Sequence, residues 1–418
     1  MRALALASIV ALAGCTPITS AFRCADSAAC VREGVAGTCE GNHWCSFPDA
    51  TCGSGRRYGE FAGDGLSNSC VTAADTCGAI GEPCCAGTSA CQAGLACTGG
   101  VCVGCVAELA LGEAHGCALL AKGGTVACWG KNDHGQLGFA GGDAAAAVAV
   151  VDDHGQPIAG ITAIAAGGNH SCALKSDQTV LCWGDDAPVP ALVSLTTIDA
   201  IAAGAHHSCA SLDSGAVWCW GANDSGQLGT APSAGSPSPV EVVDGAGGAL
   251  VAASLTAGAT HSCAVGRDHK LICWGSDVDG ELGDGTTAAT RLPTPAGSLG
   301  AHVVGAAAGT HFGCALGDDG SVSCFGANDQ QQAGQPASAT VAAPTPVAID
   351  LATAVSAGAT LACARRAGGA MICWGAGAPP SKVRDGVGPI AVGGNDACSA
   401  RADGVDCATF GDPHISCK

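Results

Sequence analysis

Gly167-Gly168-Asn169-His170-Ser171-Cys172, then a short turn, then Cys182-Trp183-Gly184: the chain writes this unit seven times between Gly112 and Cys407. A second clear copy runs Gly258-Ala259-Thr260-His261-Ser262-Cys263 with Cys273-Trp274-Gly275. A unit recurring at roughly 35 to 55 residues marks a repeat architecture, in which each copy is too thin to bury its own apolar surface and must stack on its neighbours. Within the unit, residues 161–166 read as a strand of small residues. Residues 170–174 and 179–183 read as two more strands about a turn at Ser176-Asp177-Gln178, and residues 190–193 as an outer fourth. Thin antiparallel sheets stacked radially form a propeller. The expected fold class is all-β, a seven-bladed β-propeller preceded by small disulfide-rich modules.

The register follows from the letters. If Cys172 faces Cys182, then Leu174 faces Val180, Ser171 faces Trp183 and His170 faces Gly184. The same offset sets Gly116 against Trp129, Ser208 against Trp220, Ser262 against Trp274, Gly313 against Phe325 and Ala362 against Trp374. A small residue meets a large ring each time, as a close-packed blade requires. Opposed cysteines on neighbouring strands lie within bridging reach. One disulfide per blade is therefore expected: Cys117–Cys128, Cys172–Cys182, Cys209–Cys219, Cys263–Cys273, Cys314–Cys324, Cys363–Cys373 and Cys398–Cys407.

Such cysteine use fits an oxidising compartment, and the N-terminus agrees. Met1-Arg2, an apolar run over residues 3–13 and Leu12-Ala13-Gly14-Cys15 resemble a bacterial lipoprotein signal, with cleavage before Cys15 and lipid on its thiol. The run is too short to span a bilayer. Thr16 after the lipidated residue implies the outer membrane, so the expected location is the cell envelope, periplasmic or surface-exposed. Setting Cys15 aside from 29 cysteines leaves an even number for pairing.

The chain is expected to divide into a signal peptide at 1–14, Cys-rich modules at 15–73 and 74–105, and the propeller at 106–418. Cys24, Cys30, Cys39, Cys45, Cys52 and Cys70 fall in the first module, and Cys77, Cys84, Cys85, Cys91, Cys97 and Cys102 in the second. Segments this short need cross-links to fold, and sequence does not choose their pairing. Cys105 and Cys417 remain, flanking the repeats, and are expected to clasp the ring where it closes.

A net charge of −19, with 17 basic residues in no dense run, argues against nucleic-acid binding, which needs cations to replace phosphate counterions.

Trp129-Gly130-Lys131-Asn132-Asp133-His134-Gly135-Gln136-Leu137-Gly138 and the segment from Trp220 to Gly229 resemble the repeat of the regulator of chromosome condensation family. Residues 274–283 are a near copy with Asp277 and Glu281, and 325–334 a decayed one. The resemblance covers about residues 106–416 and implies a seven-bladed propeller. Its founder is an exchange factor for a nuclear GTPase, partners that an acidic exported chain would not meet. The plant ultraviolet-B receptor type carries Trp after the Gly of Gly-x-x-His. Here that place holds Glu113, Gly168, Ala205, Ala259, Thr310, Ala359 and Gly394, which argues against photoreception.

His115, His170, His207 and His261 share one repeat position, filled later by Phe312, Leu361 and Asp396. Apolar replacements there favour a structural role, each His satisfying nearby backbone. Ser276-Asp277-Val278-Asp279-Gly280 has the look of a calcium loop but aligns with the ordinary repeat turn. No cofactor, metal or catalytic set is expected. The functional expectation is a membrane-anchored, non-catalytic scaffold that binds an envelope or extracellular protein and acts as a monomer. Long segments near 139–160, 230–253, 284–304 and 335–352 would carry recognition. The alternative is an inhibitor of an exported enzyme, similar to the propeller-type β-lactamase inhibitor, for which Trp218, Phe139, Phe312 and Phe410 are the aromatics left over as anchors. Exchange-factor activity comes third, by family name alone.

Overall fold

The computed structural model describes residues 105–418 apart from 245–246, 301, 386–387, 402–403, 409–412, 414 and 416–418, together with the backbone of short strands between Val31 and Val103. Among the described residues every regular element is a β-strand. Cys15 and the pairing within the Cys-rich modules lie outside them, as do Phe410 and Cys417.

From Val106 onward the strands form seven sheets arranged as propeller blades, each an antiparallel meander in sequence order. Blade 1 comprises Val106–Leu111, His115–Leu120, Thr125–Gly130 and Ala144–Ala149, and blade 2 comprises Ile161–Ala166, His170–Lys175, Val180–Gly184 and Ala187–Leu192. Blades 3 to 6 begin with Ile198–Ala203, Ala252–Ala257, Val303–Ala308 and Ala352–Ala357. Blade 7 has three described strands, Ile390–Gly393, Asp396–Ala400 and Val405–Cys407. The first strand of each blade ends at a central channel.

The central hairpin register is the one the spacing predicts. Cys172 pairs with Cys182, Ser171 with Trp183 and His170 with Gly184, and Gly116 opposes Trp129 across the one-residue-longer hairpin of blade 1. Seven disulfides join the opposed cysteines, Cys117–Cys128 through Cys398–Cys407, with Cα atoms 4.0–4.1 Å apart. That spacing is nearer the roughly 4.5 Å of a narrow, non-hydrogen-bonded pair than the 5.5 Å of a bonded one. Each bridge closes a loop of 9–11 residues, which limits its stabilisation to roughly 3 kcal/mol by chain entropy.

The core lies between blades. Trp183 of blade 2 packs on Leu137, Val126 and the Cys117–Cys128 bridge of blade 1. Trp274 of blade 4 packs on Leu228 and the Cys209–Cys219 bridge of blade 3. Near the axis only backbone fits. A Cβ on Gly112 would sit 2.2 Å from the Gly167 carbonyl oxygen, one on Gly167 2.1 Å from that of Gly204, and so on round to Gly393, 2.3 Å from that of Gly112. Glycine at this position is a condition of ring closure.

Closure itself joins blade 7 to blade 1 through Ala391, Cys398 and Val405 against Val106, Leu109 and Trp129. The C-terminal segment continues past blade 7: the Ala147 N–H of blade 1 donates to the Pro413 carbonyl at 2.8 Å. Ile415 joins the same cluster, against which Cys105 packs. Cys105 is disulfide-bonded.

Because strands alternate in direction, first-to-second and third-to-fourth links emerge on one face, and the remaining links on the other. Lys131 N–H donates to the Ala114 carbonyl at 2.9 Å on the first face, and Gly160 N–H to the Gly123 carbonyl at 3.3 Å on the second.

Candidate protein-binding face

The first face is built from the Gly-x-x-His links and the links between third and fourth strands. The latter come in two lengths. Blades 1, 3, 4 and 5 carry long loops, such as residues 131–143, whereas blades 2 and 6 turn within residues 185–186 and 376–377. The long segments singled out in the sequence therefore contain the fourth strands and reach both faces, since links such as 150–160 and 242–251 run on to the next blade at the other face.

Each long loop folds on its own side chains. Asn132 takes the Leu137 N–H at 2.9 Å on Oδ1 and donates from Nδ2 to the Phe139 and Gly141 carbonyls. Gln136 accepts the His134 N–H at 2.9 Å. This turn presents the Gln136 carbonyl to blade 2, where it accepts from Trp183 Nε1 at 2.9 Å and Ser171 Oγ at 3.2 Å. Gln227 does the same for Trp274 and Ser262, and Gln332 for Trp374. Leu137 and Leu228 are buried beneath. The Gln-Leu-Gly turn, Gln332-Ala333-Gly334 in blade 5, is thus a wedge that seals the seams following blades 1, 3 and 5.

Blade 2 lacks the wedge. Asp185 and Asp186, at φ 49° and 71°, make a two-residue hairpin of the twist that suits antiparallel strands. Trp220 of blade 3, expected to fill its blade like the other rings, is consequently only half-buried. It lines a 140 Å³ cavity with Trp183, His170, Asp185, His206 and His207. His170 Nδ1 lies 3.4 Å from the half-exposed Asp185 carboxylate. Beside this gap His134 of the blade 1 loop meets Asp186 at 3.0 Å, and that carboxylate raises the His134 pKa.

The remaining aromatics divide differently from expectation. Phe312 is fully buried in the seam between blades 5 and 6, so it is no surface anchor. Phe139 packs partly on the core between blades 1 and 2, and Trp218 is half-buried.

The repeated histidines do not satisfy local backbone. His115, His170 and His207 reach across the seam to Ser171, Ser208 and Ser262, Nε2 to Oγ 2.7–2.8 Å. Ser171 and Ser262 in turn donate to the Gln carbonyls, so the imidazole donates from Nε2. For His261 the serine position of the next blade holds Gly313, opposite Phe325, and neither ring nitrogen has a hydrogen-bond partner. Burial lowers the His115 and His207 pKa values to about 3 and that of His261 to about 4.

In blade 4 the loop carries Asp277 and Glu281 in place of Asn and Gln. Leu282 N–H still donates to Asp277 Oδ1 at 3.2 Å, and Asp279 N–H to Glu281 Oε2 at 2.7 Å. Burial lifts the Asp277 pKa to about 6. The channel offers 230 Å³ lined chiefly by glycine and alanine, with Glu113 as the charged group among its described lining residues.

One profile of the regulator of chromosome condensation (RCC1) repeat matches residues 106–136, 161–187, 198–227 and 252–281, and a second matches 214–265 and 268–316. The chain carries RCC1 repeats.

Relatives of this RCC1-repeat chain include the E3 ubiquitin-protein ligase HERC2 of Homo sapiens, 29% identical over 242 residues, and that of Mus musculus, 30% identical over the same length. The match takes in 53% of this chain and 5% of either ligase, so the chain spans a small part of the length of these relatives. Among solved structures, Prp20p from Saccharomyces cerevisiae superposes with TM-score 0.60 at 21% identity, covering 70% of this chain and 81% of that one. Human WBSCR16 superposes with TM-score 0.62 at 19% identity, covering 69% and 84%. These likenesses establish the seven-bladed RCC1 fold.

Proposed function

We propose that this RCC1-repeat propeller is a non-catalytic protein-binding scaffold, whose loop face receives a basic side chain of its partner in the gap between blades 2 and 3. The observation that carries the reading is that gap. Its 140 Å³ falls below the roughly 300–1,000 Å³ of a small-molecule site but suits one inserted side chain. The Trp220 ring and the Asp185 carboxylate line the gap, a pairing that recognises Lys or Arg by cation–π and ion-pair attraction. A net charge of −19 favours approach of a basic surface. That Prp20p is described with binding to Gsp1p and histones supports protein binding as a use of this fold.

The partner is an envelope or extracellular protein, because the same chain is exported and held to the membrane by lipid on Cys15. The test is cross-linking in an oxidised envelope fraction with a photoreactive group at position 206, beside the gap. A product lost on Trp220→Ala is expected. A product that survives both Trp220→Ala and Asp185→Asn would refute the site, and export without lipid incorporation at Cys15 would refute the anchor.

A further inference from the structure

We propose that Asp279, Glu281 and His311 form a binding site for a divalent transition-metal ion of the zinc class at the seam between blades 4 and 5. In sequence, the segment around Asp279 is an ordinary repeat turn, and it does fold as one: Gly280 N–H donates to the Asp277 carbonyl at 3.3 Å. What sequence does not show is the third group, His311, delivered from the next blade by its Gly-x-x-Phe link.

The three donor atoms lie within 4.8 Å of one another. His311 Nδ1 is 3.5 Å from Asp279 Oδ2 and 3.6 Å from Glu281 Oε1. Both separations exceed a hydrogen bond. They match the edge of a coordination tetrahedron, since four ligands at about 2.0–2.1 Å stand roughly 3.3–3.4 Å apart. One imidazole and two carboxylates suit zinc or its first-row neighbours, whereas calcium and magnesium take oxygen ligands. His311 is half-exposed, which leaves a fourth position open to solvent.

Two further observations separate this seam from its siblings. Blades 1, 3 and 5 hold Gln136, Gln227 and Gln332 where blade 4 holds Glu281, and Gln136 and Gln332 donate from Nε2 to Asp133 and Asp329. Blade 4 has Val278 in place of that aspartate, so Glu281 Oε1 is turned to His311 instead. Glu281 is wholly buried, and its orientation is fixed by Ser276 Oγ donating to Oε1 at 2.9 Å and Asp279 N–H to Oε2. Outer hydrogen bonds of this kind aim metal ligands. The position of His311 is Asn169, Thr260 or Thr360 at the other wedge-sealed seams, so the triad occurs once among the described repeats. Second, His261, fully buried and without a hydrogen-bond partner on either nitrogen, packs in electrostatic reach of the same Glu281. A cation on Glu281 would compensate the charge of a carboxylate that the fold holds fully buried.

The test uses the full oxidised chain with Zn²⁺ alone as the probe, followed by calorimetric titration and thermal unfolding. One equivalent of zinc should bind and raise Tm. Glu281→Gln installs the residue that three sibling blades carry and so preserves the turn. It and His311→Asn should each weaken binding at least about tenfold and abolish the zinc-dependent rise in Tm. Co²⁺ in place of zinc should give a visible absorption band that the two variants lose. Three results overturn the proposal. Zinc binding could be undiminished in both variants. Binding could instead be lost on His154→Ala, which would place the ion at the exposed Asp152-Asp153-His154 turn. Or the chain could show no zinc binding while His311→Asn lowers Tm, the mark of an ion pair only.

Discussion

His115 Nε2 stands 2.8 Å from Ser171 Oγ, across the seam between blades 1 and 2. Two more such bonds follow, His170–Ser208 and His207–Ser262, and the series stops at His261, because blade 5 has Gly313 in the serine position. Three of the seven seams are therefore joined by this polar contact, and Phe312, Leu361 and Asp396 replace the histidine in blades 5 to 7. The histidine of the repeat matters through the residue opposite it in the next blade, not through its own surroundings.

Replacement should cost differently at the two kinds of seam. Ser171→Ala leaves His115 buried with no partner on Nε2, and an orphaned buried donor costs about 1–3 kcal/mol. His261→Phe installs the residue blade 5 uses at this position and removes two unpaired nitrogens, so it should be neutral or stabilising. Denaturant unfolding of both variants checks the contrast. A similar loss for each would mean that the seam bonds contribute nothing.

Acid should destabilise the ring through the same histidines. His115 and His207 titrate near 3 when folded, because burial disfavours the charged ring, against about 6.5 when unfolded. Below pH 6.5 the unfolded chain binds more protons, so stability falls as pH drops from 6.5 toward 3. Unfolding at pH 5 should take up close to two protons from this pair. The pH dependence of the denaturant midpoint measures it.

Glu108 should act with the opposite sign. Its carboxylate accepts the Ile164 N–H at 3.0 Å across the first seam, and burial raises its pKa to about 7. The folded state holds this proton more tightly than the unfolded one, so its contribution is full below pH 4.5 and lost as pH rises through 7. At about 1.4 kcal/mol per pKa unit the loss is at most about 3 kcal/mol. Glu108→Gln should be more stable than the parent at pH 7.5, and between pH 5 and 7 its denaturant midpoint should lose the fall with rising pH that Glu108 contributes and keep the opposite slope of the histidines.

The letters showed the hairpin because its information is local: two cysteines ten residues apart and a small residue opposite a ring leave one register. The seams were less legible. His115 and Ser171 are 56 residues apart, and nothing within either repeat says that one answers the other. The missing wedge of blade 2 was visible as a short link at Asp185-Asp186. Its consequence falls on Trp220 in the next blade, so the ring that pattern alone would bury is the one left half-open. Phe312 misled in the other direction, since an aromatic outside the Cys-aromatic-Gly position replaced a buried histidine. A signal was available: each residue should be read against the repeat one blade earlier.

The ring should also depend on its ends. Ile415 and Cys105 share the cluster that joins blade 7 to blade 1, which brings the chain beyond blade 7 back to where the propeller begins. A bridge from Cys105 to Cys417 would close a loop of some three hundred residues, and the chain-entropy value for long loops is about 5 kcal/mol. Cys417→Ser should lower stability by several kcal/mol and expose one reactive thiol at Cys105. Peptide mapping of the alkylated variant would show it. Labelling at any other cysteine would assign the Cys105 partner elsewhere.

Trp220 separates binding from folding. Trp183, sealed by the Gln136 carbonyl and 2% exposed, should cost about 3–5 kcal/mol on replacement by alanine, the usual range for a buried ring. Trp220 has no wedge above it and part of its face is open, so Trp220→Ala should cost distinctly less. Its effect on partner capture should be the larger one, since hot-spot rings lose 2 kcal/mol or more of binding on truncation, about thirtyfold in affinity. Asp185→Asn should weaken binding by removing the charge and should do so less in high salt, because a partly exposed ion pair is screened. Unfolding and binding measured on the same three variants distinguish the cases. If Trp183→Ala and Trp220→Ala lose stability equally, the gap is closed in solution. If Trp220→Ala binds as the parent does, the partner sits elsewhere on the ring.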